Sequence, residues 1–286
     1  MLSNKVSEIM TTDLVKATVS TTIYSVMETM VAEDVGRIII TDDEVPVGIF
    51  TEKDVLKRVM GTAIDGKKAS IKDVMTAPVR AVREETHIVD AFARMYRGKY
   101  RHLLVRGLRG KIIGIISMRR ILNIAVELGQ GISESRTVDD IPVAPITTVD
   151  ESSTVQATVN LMNQRGLTAV IVTAAGTPTG IFTERDVLRR VATVDMDRQQ
   201  TPVRQVMTAP LIAVPCTTLV GDVLAEMYRR DIRNMPVEEA PNQLLGLITM
   251  PEILQYARAF NIDEQVRRSW QEVAQALDTD DQYTPG

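Results

Sequence analysis

The stretches GIFTEKDVL at 48–56 and GIFTERDVL at 180–188 are nearly the same, and they differ only where Lys53 stands in the first and Arg185 in the second. They begin 132 positions apart. Each is a short apolar run followed by a Thr, two charged residues and an Asp, which is the order expected where a strand passes into a helix. A junction of this kind that occurs twice indicates internal repetition.

The offset of 132 positions recurs elsewhere in the chain. KDVMTAPVRAV at 72–82 matches RQVMTAPLIAV at 204–214, and GIISM at 114–118 matches GLITM at 246–250. The spacing between these anchors is kept without a net insertion. The second half of the chain therefore repeats the first.

Each half divides once more, because GIFTEKD at 48–54 lies 66 positions before GIISMRR at 114–120. The segments between copies, such as GTAIDGKKAS at 61–70, are polar and contain Gly, which is typical of connectors. An apolar stripe after residue 260 predicts a C-terminal helix, followed by a flexible end. The predicted repeats and tail span 6–60, 71–125, 137–192, 203–257 and 258–286.

Within one repeat, the pattern predicts the order β-α-β-β-α. In the first copy, a helix over 22–34 with Val26 and Met30 on its apolar stripe precedes two strands, and EKDVLKRVM at 52–60 is again helical. A unit of about 55 residues cannot bury both faces of a three-stranded sheet alone, so the repeats are expected to pack in pairs. The methionines at helical positions are expected to fill an aliphatic core.

The composition limits the class of protein. The 286 residues include 33 Lys and Arg against 37 Asp and Glu, and proteins that bind nucleic-acid phosphates usually carry a basic excess. The single cysteine, Cys216, excludes an internal disulfide framework and suits a reducing compartment. With no signal-peptide core and no run of about 18 apolar residues, we expect a cytoplasmic protein without a membrane span.

The Gly-x-x-Thr-x-x-Asp pattern has two interpretations. Gly48 either admits a close approach of another backbone or turns the chain. Thr51 is placed to cap a helix, with Asp54 completing a capping box. Alternatively the pair forms a nucleotide clamp, because a helix N-terminus favours a phosphate and a fixed carboxylate accepts hydrogen bonds from both hydroxyls of a ribose. The spacing alone favours capping, and the repetition of the pattern changes that balance.

With these repeats in view, the chain resembles four cystathionine-β-synthase (CBS) domains in tandem, that is, two Bateman modules, over residues 6–257. The resemblance rests on the entry motifs EIMTTDLVKATV, DVMTAPVRAV, DIPVAPITTV and QVMTAPLIAV and on the exit motifs GIFTEKD, GIISMRR, GIFTERD and GLITMPE. It implies an α/β (α+β) fold in which repeats one and two pair, and repeats three and four pair, each about a pseudo-two-fold axis with two clefts. In many members these clefts hold AMP, ADP, ATP or S-adenosylmethionine.

The resemblance implies roles for the residues of the exit motif. Repeats one and three carry the full motif, Thr51 with Asp54 and Thr183 with Asp186, in which the Thr contacts phosphate and the Asp contacts ribose. One competent cleft in each module is therefore expected.

Repeats two and four depart from the full motif. Ser117 is followed by Arg120, which cannot accept a hydrogen bond from a ribose, and Thr249 is followed by Glu252, which is one methylene longer than Asp. The clefts centred on these two repeats are therefore expected to differ from the two competent ones.

A second difference between the repeats is an Arg that only repeats two and four carry. At the start of the third sheet segment the four repeats read Gly36, Arg101, Thr168 and Arg233. In the family's pairing Arg101 is expected to face Asp54, and Arg233 to face Asp186, so that sugar acceptor and phosphate donor come from opposite halves of a cleft. The alternative is that both arginines are solvated surface charges.

The remaining candidates also follow from the resemblance. The adenine is expected to pack on the backbone of the entry segment of the paired repeat, and His102 is expected at the phosphate edge. These candidates, with the hydroxyls of the incomplete motifs, are Ile49, Ile181, Arg80, Ala81, Ile212, Ala213, His102, Ser117 and Thr249.

Two hypotheses for function remain. The chain is either a stand-alone sensor that binds adenine nucleotides and signals to a separate protein, or a structural adaptor that uses the same fold without a ligand. No catalytic motif is found and the repeats occupy nearly the whole chain, so neither an enzyme nor a metal site is expected. Because such modules commonly associate through their helices, a homodimer is also expected.

Overall fold

The computed structural model describes residues 5–98, 100–121 and 137–249. In these residues the same small sheet is built four times, each time from three strands in sequence order. The first strand of each sheet runs parallel to the second, and the second runs antiparallel to the third. This confirms the predicted mixed fold. Among the described residues, no helix is long and apolar enough to cross a bilayer.

Each repeat opens with one 3-10 turn, followed by a strand, a helix and two further strands. Repeat one consists of a 3-10 turn at Val6–Glu8, β1 Lys16–Thr18, α1 Ile23–Ala32, β2 Arg37–Asp42, β3 Val45–Thr51 and α2 Glu52–Asp54, which continues as a π-helix over Val55–Met60. Repeat two consists of a 3-10 turn at Ile71–Asp73, β4 Ala81–Arg83, α3 Ile88–Gly98, β5 His102–Arg106 and β6 Ile112–Ser117.

Repeats three and four follow the same order. Repeat three consists of a 3-10 turn at Val138–Asp140, β7 Thr148–Asp150, α4 Val155–Arg165, β8 Ala169–Ala174, β9 Thr177–Thr183 and α5 Glu184–Asp186, which continues as a π-helix over Val187–Ala192. Repeat four consists of a 3-10 turn at Val203–Gln205, β10 Val214–Pro215, α6 Val220–Arg229, β11 Asn234–Ala240 and β12 Gln243–Thr249. The C-terminal helix predicted after residue 257 lies outside the described residues.

The helices form where the sequence supplies caps and apolar stripes. Thr22 caps α1 by accepting a hydrogen bond from the Ser25 amide at 3.2 Å, and Val26 and Met30 on its inner face are buried. Gly166 ends α4 in a left-handed conformation, with φ of 67°, which a glycine adopts without a steric penalty. The predicted core methionines are buried, namely Met27, Met30, Met95, Met162 and Met227.

The entry segments do not stay with their own sheets. Thr76, from the entry segment of repeat two, pairs with Ile49 of β3, and Thr11, from the entry segment of repeat one, pairs with Ile115 of β6. Each repeat thus extends the sheet of the other. Because the exchange is reciprocal, repeats one and two form the predicted pair.

The entry segments of repeats three and four make the same kind of contact. Thr208 pairs with Ile181 of β9, with backbone hydrogen bonds of 2.8 and 2.9 Å, and Ala144 pairs with Leu247 of β12. The segments of repeat four and repeat three are thereby exchanged, as they are in the first pair.

The chain divides into two compact units. The first unit contains the described residues up to Ile121 together with Ile146–Ile212, and the second contains the described residues of 122–145 and those from Ala213 onward. The first unit thus holds repeats one and two, most of repeat three and the entry segment of repeat four. The second holds the entry segment of repeat three and most of repeat four.

In the first unit, one apolar core joins repeat one to repeat three. The core contains buried residues of α1, α4 and the two π-helices, including Leu56, Val59, Met162 and Leu188. Polar contacts follow the same boundary, since the Asn163 side chain donates to the Leu56 carbonyl at 2.9 Å. The helices of repeats one and three therefore share one hydrophobic interior.

Candidate functional site

The end of β3 brings together two of the predicted site residues. The Asp54 carboxylate accepts hydrogen bonds from the Thr51 amide at 2.9 Å and from the Thr51 hydroxyl at 2.6 Å. Thr51 is extended, with φ of −135° and ψ of 165°, as expected of a residue that precedes a helix. The pair forms the capping box that the sequence predicts.

Two further groups hold the carboxylate of Asp54, a residue that is only 7% exposed. The Thr76 hydroxyl donates to Oδ1 at 3.1 Å, and the Arg58 guanidinium lies 3.6 Å from the same oxygen. Arg58 also donates to the carbonyls of Val74 and Met75, at 3.0 and 2.6 Å. The exit motif of repeat one is thus fastened to the entry segment of repeat two.

The same arrangement occurs in repeat three. The Asp186 carboxylate accepts from the Thr183 amide at 2.9 Å, from the Thr183 hydroxyl at 2.7 Å and from the Thr208 hydroxyl at 2.8 Å. The Arg190 guanidinium lies 3.2 Å from Oδ1, the oxygen that Thr208 binds, and also donates to the Val206 carbonyl. Both full motifs therefore place a buried carboxylate at the junction of an exit motif and a partner's entry segment.

A small apolar layer lies between the two sheets of the pair. Its buried residues, Ile39, Leu104 and Ile115, are packed by Ile49 and Ala81, two of the predicted site residues. The carbonyl of the third, Arg80, accepts a hydrogen bond from the Leu104 amide at 2.9 Å, while its side chain is exposed. The first unit therefore collects Thr51, Asp54 and these three candidates at one sheet-to-sheet boundary.

Gly48 explains how the entry segment approaches so closely. A Cβ at this position would lie 2.2 Å from the Met75 sulfur, and a Cβ at Gly180 would lie 2.6 Å from the Met207 sulfur and 2.8 Å from the Thr208 carbonyl oxygen. Both glycines lie inside strands and not at chain turns. The motif glycine therefore serves the close approach of the paired repeat.

Arg101 lies just before β5, where its carbonyl accepts a hydrogen bond from the Met118 amide at 2.9 Å. Gly36 and Thr168 have the same position, since their carbonyls accept from the Glu52 and Glu184 amides. The Arg101 guanidinium, however, lies 3.9 Å from the Glu184 carboxylate of repeat three, a partner that the sequence did not suggest.

A second ion pair crosses from repeat three to repeat one. Arg185 Nε lies 3.4 Å from Oε1 of Glu52, whose side chain is 2% exposed. Burial, then the charges of Arg101 and Lys57, lowers the pKa of the Lys53 amine below its ordinary value of 10.5, while the Glu184 and Asp54 carboxylates act in the opposite direction. The boundary between repeats one and three is therefore densely charged at its edge.

The other predicted residues lie at equivalent positions of their sheets. His102 stands opposite Ser117 across β5 and β6, and the Ser117 hydroxyl accepts from the Arg120 amide at 3.2 Å. In the second unit, Thr249 stands opposite Asn234, the neighbour of Arg233. Glu252 lies outside the described residues.

The predicted second site is divided between the units. Thr183, Asp186, the buried Ile181 and the exposed Ile212 belong to the first unit. Ala213 and Arg233 belong to the second. The part of Arg233 in a phosphate site therefore stays a prediction from the sequence.

Sequence reasoning missed several residues that hold the motif in place. Thr76 and Thr208 occupy the same place in the repeated MTAP segments, and Arg58 and Arg190 each follow a motif Asp by four residues. Their recurrence at the offset of 132 positions was a signal that they belong to the motif. No comparable signal linked Glu184 to Arg101.

Comparison with known proteins identifies the four repeats. A model of the CBS domain matches the chain four times, at residues 6–61, 71–127, 138–193 and 203–259. The uncharacterized protein MJ1404 of Methanocaldococcus jannaschii is 26% identical over 272 residues, which cover 90% of this chain and 62% of that protein. The CBS domain-containing protein CBSCBSPB1 of Arabidopsis thaliana is 24% identical over 278 residues, which cover 84% of this chain and 51% of that protein. The chain thus spans less than two thirds of the length of these relatives.

A solved structure shows the same fold over most of the chain. Protein MJ1225 of Methanocaldococcus jannaschii, proposed as an archaeal homologue of g-AMPK, matches with a TM-score of 0.75 at 18% identity, over 88% of this chain and 99% of that chain. At this identity, the likeness establishes a common fold.

Proposed function

Because this chain belongs to the CBS domain family, we propose that it is a regulatory protein that binds adenine nucleotides between its paired repeats. The observation that carries this proposal is the arrangement of Thr51 and Asp54, which is built again at Thr183 and Asp186. In each case a hydroxyl and a buried carboxylate lie where an exit motif meets the entry segment of the paired repeat. A fixed carboxylate can accept hydrogen bonds from the hydroxyls of a ribose, and the start of a helix offers donors to a phosphate.

The Asp54 carboxylate has acceptor capacity for such a ligand. A carboxylate can accept about four hydrogen bonds, and that of Asp54 accepts three from the protein. A ribose hydroxyl would take the remaining position or replace the Thr76 hydroxyl. Ile49 and Ala81, which pack at the same boundary, offer apolar surface for a base.

The proposed ligands are AMP, ADP, ATP or S-adenosylmethionine, and the proposed role is that of an energy sensor without enzymatic activity. Binding would change the contacts between paired repeats, and a separate regulated protein would respond to that change. The single cysteine fits a cytoplasmic location, which we include in the proposal.

An association of two chains is a further part of the proposal. The helices of repeats one and three already pack on each other inside the first unit, so a homodimer would use other surfaces. Light scattering that gives the mass of one chain, 31.7 kDa, over a wide concentration range would exclude it.

The alternative function is that of an adaptor that binds no ligand. It is favoured by the hydrogen bonds of Asp54 and Asp186, because both carboxylates already cap a helix and fasten a partner segment. In this case the motif would be needed only for stability.

Calorimetric titration with AMP, ADP, ATP and S-adenosylmethionine separates the two functions. The sensor predicts saturable binding that is lost in the double variant Asp54→Ala, Asp186→Ala, measured where circular dichroism shows the variant folded. Absence of heat and of any ligand-induced thermal shift for all four compounds would support the adaptor.

A further inference from the structure

The one difference between the two nine-residue stretches makes the boundary of repeats one and three asymmetric. Arg185 of repeat three reaches Glu52 of repeat one, with 3.4 Å between Nε and Oε1. The reciprocal carboxylate, Glu184, is approached at 3.9 Å by Arg101, which comes from repeat two. Lys53 stands where Arg185 stands in the other copy; the residue is exposed as a whole, although its amine is partly desolvated.

Arg101 adjoins the proposed nucleotide cleft. Its carbonyl is tied to the exit motif of repeat two through the Met118 amide. It immediately precedes β5, whose Leu104 packs in one apolar layer with Ile49, two residues before Thr51. Its side chain is 43% exposed, whereas that of Glu184 is 7% exposed, so Arg101 is the solvent-accessible member of the pair.

We propose that Glu184 of repeat three competes with the phosphate of a bound nucleotide for Arg101, and so sets the phosphate affinity of the cleft between repeats one and two. This inference rests on the proposed nucleotide binding at Thr51 and Asp54. In the unliganded protein Glu184 holds the guanidinium. When a phosphate binds, Arg101 turns to the phosphate and Glu184 keeps one cation fewer.

The competition links the cleft to the contact between repeats. A buried carboxylate that loses a cation loses stabilisation, so the phosphate contact is weaker than it would be with Arg101 unrestrained. By reciprocity, a bound phosphate must weaken the contact of repeats one and two with repeat three by the same factor. Adenosine, which has no phosphate, carries no such linkage.

The test is a titration of wild type and Glu184→Gln with AMP, ATP and adenosine. Glutamine keeps the size of the side chain and removes its charge, so Arg101 is released. We expect AMP and ATP to bind about fivefold more tightly to the variant, which corresponds to about 1 kcal/mol. Adenosine is expected to bind both proteins equally, which also shows that the variant is folded.

The chain offers a matched control at the equivalent position of repeat one. Glu52→Gln removes a buried carboxylate of the same kind, but one that faces Arg185 and not Arg101. We expect this variant to leave the ratio of AMP to adenosine affinity at the wild-type value. If Glu184→Gln does not fold, Glu184→Asp keeps the charge, withdraws it from Arg101 and is expected to act in the same direction.

A double-mutant cycle distinguishes competition from simple repulsion between Glu184 and the phosphate. In an Arg101→Ala background, Glu184→Gln is expected to have no effect on AMP affinity, because no guanidinium remains to be released. An effect of the same size in that background, or none in the wild type, would overturn the inference. If AMP, ATP and adenosine all fail to bind the wild type, it is the proposed function that fails.

Discussion

At the scale of single residues, the Asp of the exit motif both caps a helix and binds the paired repeat. Asp54 caps a helix through Thr51 and also accepts from Thr76 of the paired repeat. These contacts do not exclude the nucleotide-clamp interpretation, because a carboxylate has about four acceptor positions and three hydrogen bonds use those of Asp54. A variant of Asp54 is expected to affect stability and ligand binding together, and the two effects must be measured apart.

Asp54→Ala is expected to weaken nucleotide binding at one site by about ten- to a hundredfold, which corresponds to the loss of a charged hydrogen bond of roughly 1.5–3 kcal/mol. Asp186→Ala is expected to do the same at the other site and to leave the first nearly intact. Calorimetry with AMP gives both affinities and the stoichiometry. Arg120→Ala is the control, since Arg120 takes the place of the Asp in an incomplete motif, and it should change neither affinity.

Arg185→Lys makes the two nine-residue stretches identical and tests the buried ion pair. The ammonium of Lys cannot reproduce the planar guanidinium that reaches Glu52, so the free energy of unfolding is expected to fall by about 1–2 kcal/mol. Denaturant unfolding measures the change. Arg94→Lys, at an exposed position of α3, is expected to cost nothing measurable, and equal stabilities of the two variants would contradict the assignment.

At the scale of elements, the entry segment is the feature that makes two repeats into one pair. It leaves its own sheet and hydrogen-bonds to the third strand of the partner, as Thr76 does with Ile49. A strand glycine permits this approach, because a side chain there would occupy the volume of Met75. The Gly of the exit motif thus leaves the space that the Met of the partner's entry motif fills.

Gly180→Ala is expected to destabilise the protein by about 1–3 kcal/mol through overpacking, because its Cβ would lie 2.8 Å from the Thr208 carbonyl as well as against Met207. Adding Met207→Ala should restore part of the loss, since the backbone clash persists. Thermal unfolding measures both. As a control, Gly221→Ala meets nothing within 4 Å and lies in a helix, so it should leave stability unchanged or raise it. A Gly180→Ala variant as stable as wild type would contradict the role of close approach.

At the scale of the whole molecule, repeats that are not neighbours in the sequence share a core in the first unit. Repeats one and two exchange entry segments, while repeats one and three share a hydrophobic core. Segments that share a core unfold together, because removing either exposes the apolar face of the other. Repeats one and three are therefore expected to behave as one cooperative region, although 132 positions separate them.

Met162→Ala, a change in repeat three alone, is expected to lower the free energy of unfolding by about 2–5 kcal/mol. Amide hydrogen exchange should then show faster exchange in β2 of repeat one as well as in β8 of repeat three. Loss of protection that is confined to β8 would show that the two repeats unfold independently.

The secondary structure, the repeats and the capping box could be predicted from the sequence, because each depends on a local pattern that recurs along the chain. Apolar periodicity predicted the order of strands and helices, and the fixed offset identified the repeats, as the four sheets confirm. The capping box formed by Thr51 and Asp54 followed from their spacing of three residues. Such features depend on neighbours along the chain, so they appear in the pattern itself.

Only the tertiary structure decided which charges meet across the repeats. The sequence suggested Asp54 as the residue that Arg101 faces and named no other partner, whereas the structure adds Glu184 beside its guanidinium and places Arg185 beside Glu52. These partners are 83 and 133 positions apart, and the repeat offset of 132 positions does not show which side chains meet. They meet because burying the apolar helix faces of repeats one and three together brings the charged residues at the edges of those faces into contact, and burial is set by the whole fold and not by local pattern.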